Sequence, residues 1–345
     1  MRIVNRIKYF ALLLSALGLF NLPAWAADQN LINSAKAEGS VTWYTGFLVN
    51  EFVEPVAKAF EAKYGIRVEY ARSSSSDIIM RVGNEARAGK VQADVIDGSN
   101  FVPLYKGGLA LPYIPSNARE YPEGSVAKDG IWVSTNSNYL TLAYNTSLVS
   151  DAEVPNTFEA LLDPKWSGKI SITDSLNPTG GPGFVGAALT RMGEENGTQY
   201  LKKLATQKIV IIPANQKVVL DGVMAGEFPI ALMTFNHHSV IGQKQGAPIE
   251  WARFDPVVAS RTYVSIIKGG PHPNAGKLLV EFLMSQEGQA LFAAADYIPN
   301  LPSVPPRDPR LRPDGGNFKT FDITIEQLDK DFGQWRTVFK ELFQK

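Results

Sequence analysis

The segment Pro229-Ile230-Ala231-Leu232-Met233-Thr234-Phe235-Asn236-His237-His238-Ser239 is a short apolar run that stops abruptly at a polar turn with two adjacent imidazoles. The apolar part is typical of a buried strand. Open α/β sheets bind ligands beyond the carboxyl ends of their strands. We therefore predict that His237 and His238, two of only three histidines in the chain, line a ligand site. The competing interpretation is that they lie on a solvated loop without a function.

Earlier in the chain, strands and helices alternate. The patterns predict strands at 40–44, 66–71 and 93–96, with helices at 51–64 and 77–88 between them. A strand–helix–strand order implies parallel strands joined by right-handed crossovers. The ends of these strands should therefore lie along one edge of a sheet.

Each of these predicted strands ends in small polar residues or glycine. On this basis Thr45, Gly46, Ser75 and Ser99 are predicted to close on the ligand from the first part of the chain. The serines at 73–76 have an alternative role, because a serine just before a helix is a common N-cap.

At 345 residues the chain is too long for one ordinary core, so two lobes are expected. Strands predicted at 140–144 and 262–267 would cross between the lobes and act as hinges for closure. The expected division is an N-terminal lobe (27–143 plus 265–300), a C-terminal lobe (144–264), and a C-terminal extension with a closing helix (301–345).

The loop Thr179-Gly180-Gly181 immediately precedes a predicted helix. A hydroxyl, free backbone N–H groups and the positive end of a helix dipole would converge there, which suits a carboxylate, phosphate or phosphonate. A plain glycine-rich loop is the alternative. The formal G-x-G-x-x-G match at 181–186 is weak as a dinucleotide motif, because Pro182 interrupts it.

Composition excludes several classes of function. Lys and Arg total 34 and Asp and Glu total 34, so the chain has no basic excess for nucleic acid. Cysteine is absent, which excludes cysteine nucleophiles and zinc–thiolate sites.

The first 26 residues have the pattern of a signal peptide. They combine Arg2, Arg6 and Lys8 with an apolar run over 10–20 and the small-x-small motif Ala24-Trp25-Ala26. Cleavage near Ala26 and export to the periplasm are expected.

Enzyme motifs are missing from the sequence. It contains no G-x-S-x-G elbow, H-E-x-x-H or P-loop. A metal site on His237 and His238 would need a carboxylate from elsewhere, for which Asp97 is the candidate. A secreted hydrolase that uses the histidines and Asp97 is the alternative from another class, but we expect no catalysis and no cofactor.

Several motifs together resemble a known family. They are Val41-Thr42-Trp43-Tyr44, Ala93-Asp94-Val95, Leu142-Ala143-Tyr144-Asn145-Thr146 and, most specifically, the block from Pro155 to Lys169. They resemble the extracellular solute-binding proteins of ABC importers, in the group that contains the ferric-ion-binding periplasmic proteins. The resemblance covers nearly the whole mature chain. It implies the type II periplasmic-binding-protein fold, α/β with two lobes joined by hinge strands and a ligand cleft between them.

The resemblance also bears on the ligand. The adjacent tyrosines of the ferric members align with His237-His238, and their cleft histidine and glutamate fall near Gly46 and Ser99. Fe³⁺ prefers anionic oxygen ligands, which are missing at these positions. The anion-anchoring loop of the family resembles Thr179-Gly180-Gly181. Its cleft asparagines resemble two residues here, Asn215 and Asn236.

The predicted function is therefore that of a periplasmic substrate-binding component of an ABC importer. It would capture a small anionic organic solute, phosphorylated, phosphonate or carboxylate, and deliver it to permease subunits in the inner membrane. A ferric-ion or other metal carrier is the alternative within the class. The chain is expected to act as a monomer without nucleic acid.

Overall fold

The computed structural model describes residues 28–344. The predicted signal peptide lies outside the described residues. Within 28–344, no helix combines the length and the apolar composition needed to cross a membrane.

Helices alternate with the strands of one curled sheet. In chain order the elements are α1 (Gln29–Glu38), β1 (Ser40–Thr45), α2 (Glu54–Tyr64), β2 (Arg67–Arg72), α3 (Ser75–Arg87), β3 (Val95–Gly98), α4 (Val102–Lys106), β4 (Ala110–Leu111), β5 (Val133–Asn145), β6 (Ile170–Thr173), α5 (Gly181–Met192), α6 (Glu194–Ala205), β7 (Val210–Ile212), α7 (Gln216–Met224), β8 (Ile230–Phe235), α8 (Asn236–Lys244), β9 (Ile249–Trp251), β10 (Val257–Ile267), α9 (Pro273–Met284), α10 (Gln286–Ala294), β11 (Ile298–Pro299), α11 (Pro313–Gly316), β12 (Thr320–Asp322) and α12 (Ile325–Phe343).

The main strands run in the order β2-β1-β3-β10-β5-β8-β6-β7, and β4, β9, β11 and β12 pair with the two central strands. β2, β1 and β3 are parallel to one another, as are β8, β6 and β7. We call these two groups the first half and the second half of the sheet. The parallel pairing predicted for the first three strands is confirmed.

The two central strands, β5 and β10, run antiparallel to each other and join the halves. They have 13 and 11 residues, longer than the segments 140–144 and 262–267 that the sequence predicts as strands. The carboxyl end of β3 pairs near Tyr263 of β10, and the carboxyl end of β8 pairs near Leu140 of β5. The strand ends of both halves therefore approach the middle of the central pair. The lobe boundaries stay a prediction.

Two large apolar clusters support the halves. The first half contains four fully buried aromatic side chains that pack together with α9 and α10: Trp43, Phe52, Phe60 and Phe292. In the second half, α12 packs on α5 through a stripe of buried side chains, and it is the closing helix predicted within 301–345.

Candidate ligand-binding site

A cavity of about 500 Å³ lies where the strand ends of the two halves face each other. Its first wall consists of Gly46, Arg72, Ser73, Ser74, Ser75, Asp97, Ser99 and Tyr297. Its second wall consists of Asp174, Asn177, Thr179, Asn215, Gln216, Lys217, Phe235, His237 and His238. Asn138 and Thr262 of the central strands line it between the walls, and Asn138 Nδ2 donates to Thr262 Oγ1 at 2.8 Å.

Seven of the residues predicted from the sequence line this cavity, and four do not. Those that line it are Gly46, Ser75, Ser99, Thr179, Asn215, His237 and His238. Those that the structure places outside it are Thr45, Gly180, Gly181 and Asn236.

Thr45 and Asn236 have no exposed surface. The Thr45 hydroxyl oxygen accepts from the N–H of Phe47 at 3.1 Å, which shapes the turn after β1. Asn236 donates from Nδ2 to the carbonyl of Leu311 at 3.2 Å. Successive helical residues diverge by about 100°, so the first residue of α8 points away while the next two reach the cavity.

Gly180 and Gly181 are packed against protein and not against the cavity. A side chain at Gly180 would collide with the carbonyl of Ser175, and one at Gly181 would collide with the ring of Phe339 from α12. These glycines are needed for close packing at the start of α5. The loop reaches the cavity through Thr179 alone.

Asp97 at the end of β3 is hydrogen-bonded to groups of the first half. Its Oδ1 accepts from the N–H of Gly46 at 2.8 Å, and its Oδ2 accepts from Trp43 Nε1 at 2.9 Å. Burial raises the pKa of Asp97 to about 7, against these hydrogen bonds, which lower it. Its oxygens hold the turn after β1 in place.

The serines of the first wall are also paired within that wall. Ser74 caps α3, because its hydroxyl oxygen accepts from the N–H of Asp77 at 3.2 Å. Ser75 Oγ accepts from the N–H of Ser99 at 3.1 Å. The capping role that the sequence suggested for a serine in this run is confirmed at Ser74.

Arg72 is the last residue of β2 and lines the cavity. Its Nε donates to the carbonyl of Phe47 at 3.0 Å, and its terminal nitrogens have no hydrogen-bond partner within residues 28–344. The sequence pattern did not predict this residue as part of the site, because the predicted strand ends at Ala71. A lone arginine between a strand end and a serine run is the signal that could have found it.

In the second wall, Asn215 caps α7. Its Oδ1 accepts from the N–H groups of Lys217 at 3.0 Å and Val218 at 3.2 Å. Lys217 itself forms an ion pair with Asp221 one turn later. The first turn of α7 therefore brings a helix N-terminus and a cation to the cavity.

The adjacent histidines follow an irregularity in β8. Leu232 and Met233 together face the single residue Leu142 of β5, a β-bulge, and Met233 has a left-handed φ of 57°. This conformation costs a non-glycine residue of order 1 kcal/mol. The bulge lies next to the point where β8 gives way to α8 and its histidines.

His237 is 1% exposed and His238 is partly exposed, with their ring centroids 4.4 Å apart. Both ring nitrogens of His237 and the Nδ1 of His238 are buried without a hydrogen-bond partner among the described residues. Buried polar atoms in native proteins are nearly always paired, so these three atoms require an explanation.

Both imidazoles are neutral at pH 7. Burial and, to a smaller extent, the charges of Lys217 and Arg72 together lower the pKa of His238 to about 4, while Asp221 opposes them. Burial, together with His238, lowers the pKa of His237 well below its usual value. Cations from both walls therefore act on the same imidazole.

No group of three or more His, Cys, Asp or Glu side chains within residues 28–344 is placed to hold a metal ion. Asp97, the carboxylate that the sequence suggested as a partner for the histidines, is bound to Gly46 and Trp43 instead.

The third histidine lies elsewhere. His272 Nδ1 is 2.9 Å from Asp94 Oδ2, and Asp94 also accepts from the N–H groups of Thr42 and His272 itself. Ser40 Oγ lies 3.4 Å from His272 Nε2. This cluster links the start of β1 to the segments that precede β3 and α9.

The sequence profile of the bacterial extracellular solute-binding proteins matches residues 56–314. This chain belongs to that family. The family that the sequence motifs resemble is therefore confirmed.

Relatives of this solute-binding protein are named for different ligands. It is 24% identical to Iron uptake protein A1 of Synechocystis sp. over 88% of this chain and 86% of the relative. It is 22% identical to a putative 2-aminoethylphosphonate-binding periplasmic protein of Salmonella typhimurium over 94% and 97% of the two chains.

Among solved structures, it is similar to the periplasmic binding protein AfuA from Actinobacillus pleuropneumoniae with fructose-6-phosphate bound. The TM-score is 0.74 at 22% identity, over 89% of this chain and 99% of that chain. This likeness confirms the predicted type II periplasmic-binding-protein fold.

Proposed function

We propose that this solute-binding protein serves a periplasmic ABC importer and captures a small anionic organic solute in the cavity between the two walls. The two groups of strands would act as lobes that close on the solute through small changes in β5 and β10. The loaded protein would then deliver the solute to permease subunits.

The observation that carries the proposal is the convergence of positive charge on His238. Arg72 from the first wall and Lys217 from the second wall both lower the pKa of this imidazole. The N-termini of α3 and α7 add the positive ends of two helix dipoles. A carboxylate, phosphate or phosphonate would be attracted to this point, whereas a cation would be repelled.

Two carboxylates, Asp97 and Asp174, also line the cavity, and Asp174 is the one that opposes the charges of Arg72 and Lys217. Asp97 is hydrogen-bonded inside the first wall, and its raised pKa of about 7 leaves it partly protonated at neutral pH. Among the described residues that line the cavity, Arg72 has terminal guanidinium nitrogens without a partner, and these match a carboxylate or phosphate with two parallel hydrogen bonds.

The test is a binding screen of the purified mature protein. Inorganic phosphate, 2-aminoethylphosphonate, fructose 6-phosphate, succinate and ferric ion are compared by thermal shift, and positive compounds are measured by calorimetry. A bound anion should raise the melting temperature without being chemically changed.

Arg72→Ala should weaken the affinity for the best anion by at least roughly tenfold, because a hydrogen bond to a charged group contributes about 1.5–3 kcal/mol. The matched control is Arg67→Ala at the opposite end of the same strand, where the arginine pairs with Glu69 on the surface. Stabilisation by ferric ion alone would favour the metal alternative, and product formation would favour the hydrolase.

A further inference from the structure

We infer that His238 selects anions over metal ions through its tautomer: the proton sits on Nε2, which faces the cavity as a hydrogen-bond donor, while Nδ1 is buried as an unprotonated acceptor. The inference deepens the proposed function and rests on it. It gives one residue a defined role in ligand choice.

The protonation state of the His238 ring limits what it can donate or accept. His238 is neutral near pH 7, since burial and two nearby cations disfavour its protonation. A neutral imidazole has one N–H group and one lone pair, and which nitrogen carries the proton depends on the surroundings.

The two ring nitrogens of His238 differ in burial. Nδ1 is buried without a partner, whereas Nε2 is not buried in this way and belongs to a side chain that lines the cavity. An orphaned buried N–H group is rarer in proteins than an under-used acceptor. The tautomer with the proton on Nδ1 would bury an unpaired donor, so it is disfavoured by roughly tenfold.

The charged neighbours of His238 do not accept a hydrogen bond from its Nε2–H group. The charged groups that act on His238 are Lys217, Arg72 and Asp221. The first two are donors and cannot accept from Nε2–H, and Asp221 is already paired with Lys217. The Nε2–H group is therefore left for a ligand acceptor, near Arg72, whose terminal nitrogens would hold the same anionic oxygen.

A metal ion needs the opposite arrangement. It would bind the lone pair of the accessible nitrogen, which requires the proton on Nδ1. Metal-binding histidines almost always donate that other N–H to a carboxylate, carbonyl or water. His238 has no such partner for Nδ1 among the described residues. The His238 ring is thus built to donate to an oxygen and poorly built to coordinate a metal.

The tautomer is read directly by NMR on the ligand-free mature protein with ¹⁵N-labelled histidine. Long-range proton–nitrogen correlations distinguish the two ring nitrogens, and His237→Phe and His272→Gln variants assign the three rings. A protonated Nε2 on His238 supports the inference. A protonated Nδ1, or a ring protonated at both nitrogens at pH 7, overturns it.

Variants then test the role in binding. His238→Leu should lose roughly tenfold or more in affinity for the best anion of the screen, and His238→Gln, whose amide can donate, should recover most of that loss. His272→Gln is the matched control. Equal losses in the leucine and glutamine variants would overturn the donor role.

Failure of this inference is distinguishable from failure of the proposed function. If no anion in the screen binds, the proposed function fails while the NMR result still decides the tautomer. If an anion binds but Nδ1 carries the proton, only the role of His238 is lost.

Discussion

The first wall of the cavity pairs most of its polar side chains within itself, with Arg72 as the exception, whereas the second wall has imidazole nitrogens without a hydrogen-bond partner among the described residues. Asp97, Ser74 and Ser75 are all hydrogen-bonded to groups of their own half. His237 and His238 have three buried nitrogens unpaired. Unpaired groups within residues 28–344 therefore lie in both walls, the terminal nitrogens of Arg72 in the first and the imidazole nitrogens in the second, and a ligand that pairs with them would gain affinity.

The walls also respond to pH in opposite ways. Burial raises the pKa of Asp97 to about 7 and lowers the pKa of His238 to about 4. In both cases the neutral form is favoured, because the charged form loses its hydration. The cavity is therefore less charged than its side chains suggest, and its remaining charges are those of Arg72, Lys217 and Asp174.

The largest effect should come from the glycines behind the second wall. A Cβ at Gly183 would collide with the backbone carbonyl of Pro178, which cannot move without distorting the start of α5. Gly183→Ala should therefore lower the free energy of unfolding by about 2–3 kcal/mol.

Gly46→Ala in the first wall is the comparison, because its Cβ would lie at an ordinary 3.5 Å from Asp97 Oδ1. Urea denaturation of both variants measures the difference. If both variants lost the same free energy of unfolding, the two glycines would be equally tightly packed, which would contradict this prediction.

A smaller net effect, of the order of 1 kcal/mol, is expected in the pH dependence of stability, because the contributions of Asp97 and His238 have opposite signs and largely cancel. Asp97 has a folded pKa above its unfolded value of about 4, so its contribution is full below pH 4 and is lost as pH rises towards 7. His238 has a folded pKa below its unfolded value of about 6.5, so its contribution is lost as pH falls from 6.5 towards 4.

Single variants should separate these opposing slopes. Asp97→Asn removes the falling component, so its stability should rise more steeply with pH than that of the parent. His238→Gln removes the rising component and should show the reverse. The measurement is urea denaturation between pH 4 and 7.5, and slopes of the same sign in both variants would contradict the assignment.

The smallest effect concerns the contact that joins the walls. Ser76 Oγ at the start of α3 donates to Asn177 Oδ1 in the second wall. Ser76→Ala should cost about 0.5 kcal/mol, since the bond is exposed. It should also expand the ligand-free protein in small-angle X-ray scattering.

Ser73→Ala is the control for this contact, because the Ser73 hydroxyl bonds to Asp77 within the first wall. An unchanged scattering profile in Ser76→Ala would show that the two walls do not depend on this bond.

Much of the architecture was predictable because it depends on local patterns. Apolar periodicity located the strands and helices, and their alternation predicted the parallel pairs of the first half. The same patterns predicted that Gly46, Ser75 and His238 lie next to strand ends. The boundaries were less accurate at β5, where seven residues precede the predicted start of the strand at Leu140.

Arg72 and Asn236 show where the local pattern fails. An exposed arginine at a strand end looks the same in the sequence whether it faces solvent or a cavity. Asn236 is adjacent to the histidines, yet its side-chain amide donates to the carbonyl of Leu311 from a distant segment. Gly181 has the pattern of an anion loop, but Phe339 of α12 fills the space beside it.

The sequence by itself determined the order of strands and helices, the family and the position of the adjacent histidines, because periodicity and motifs are properties of neighbouring residues. Only the tertiary structure decided which polar groups remain unpaired and in which direction their pKa values shift. Those outcomes depend on burial and on partners from segments far apart in the chain, such as β2, α7 and α8 around His238.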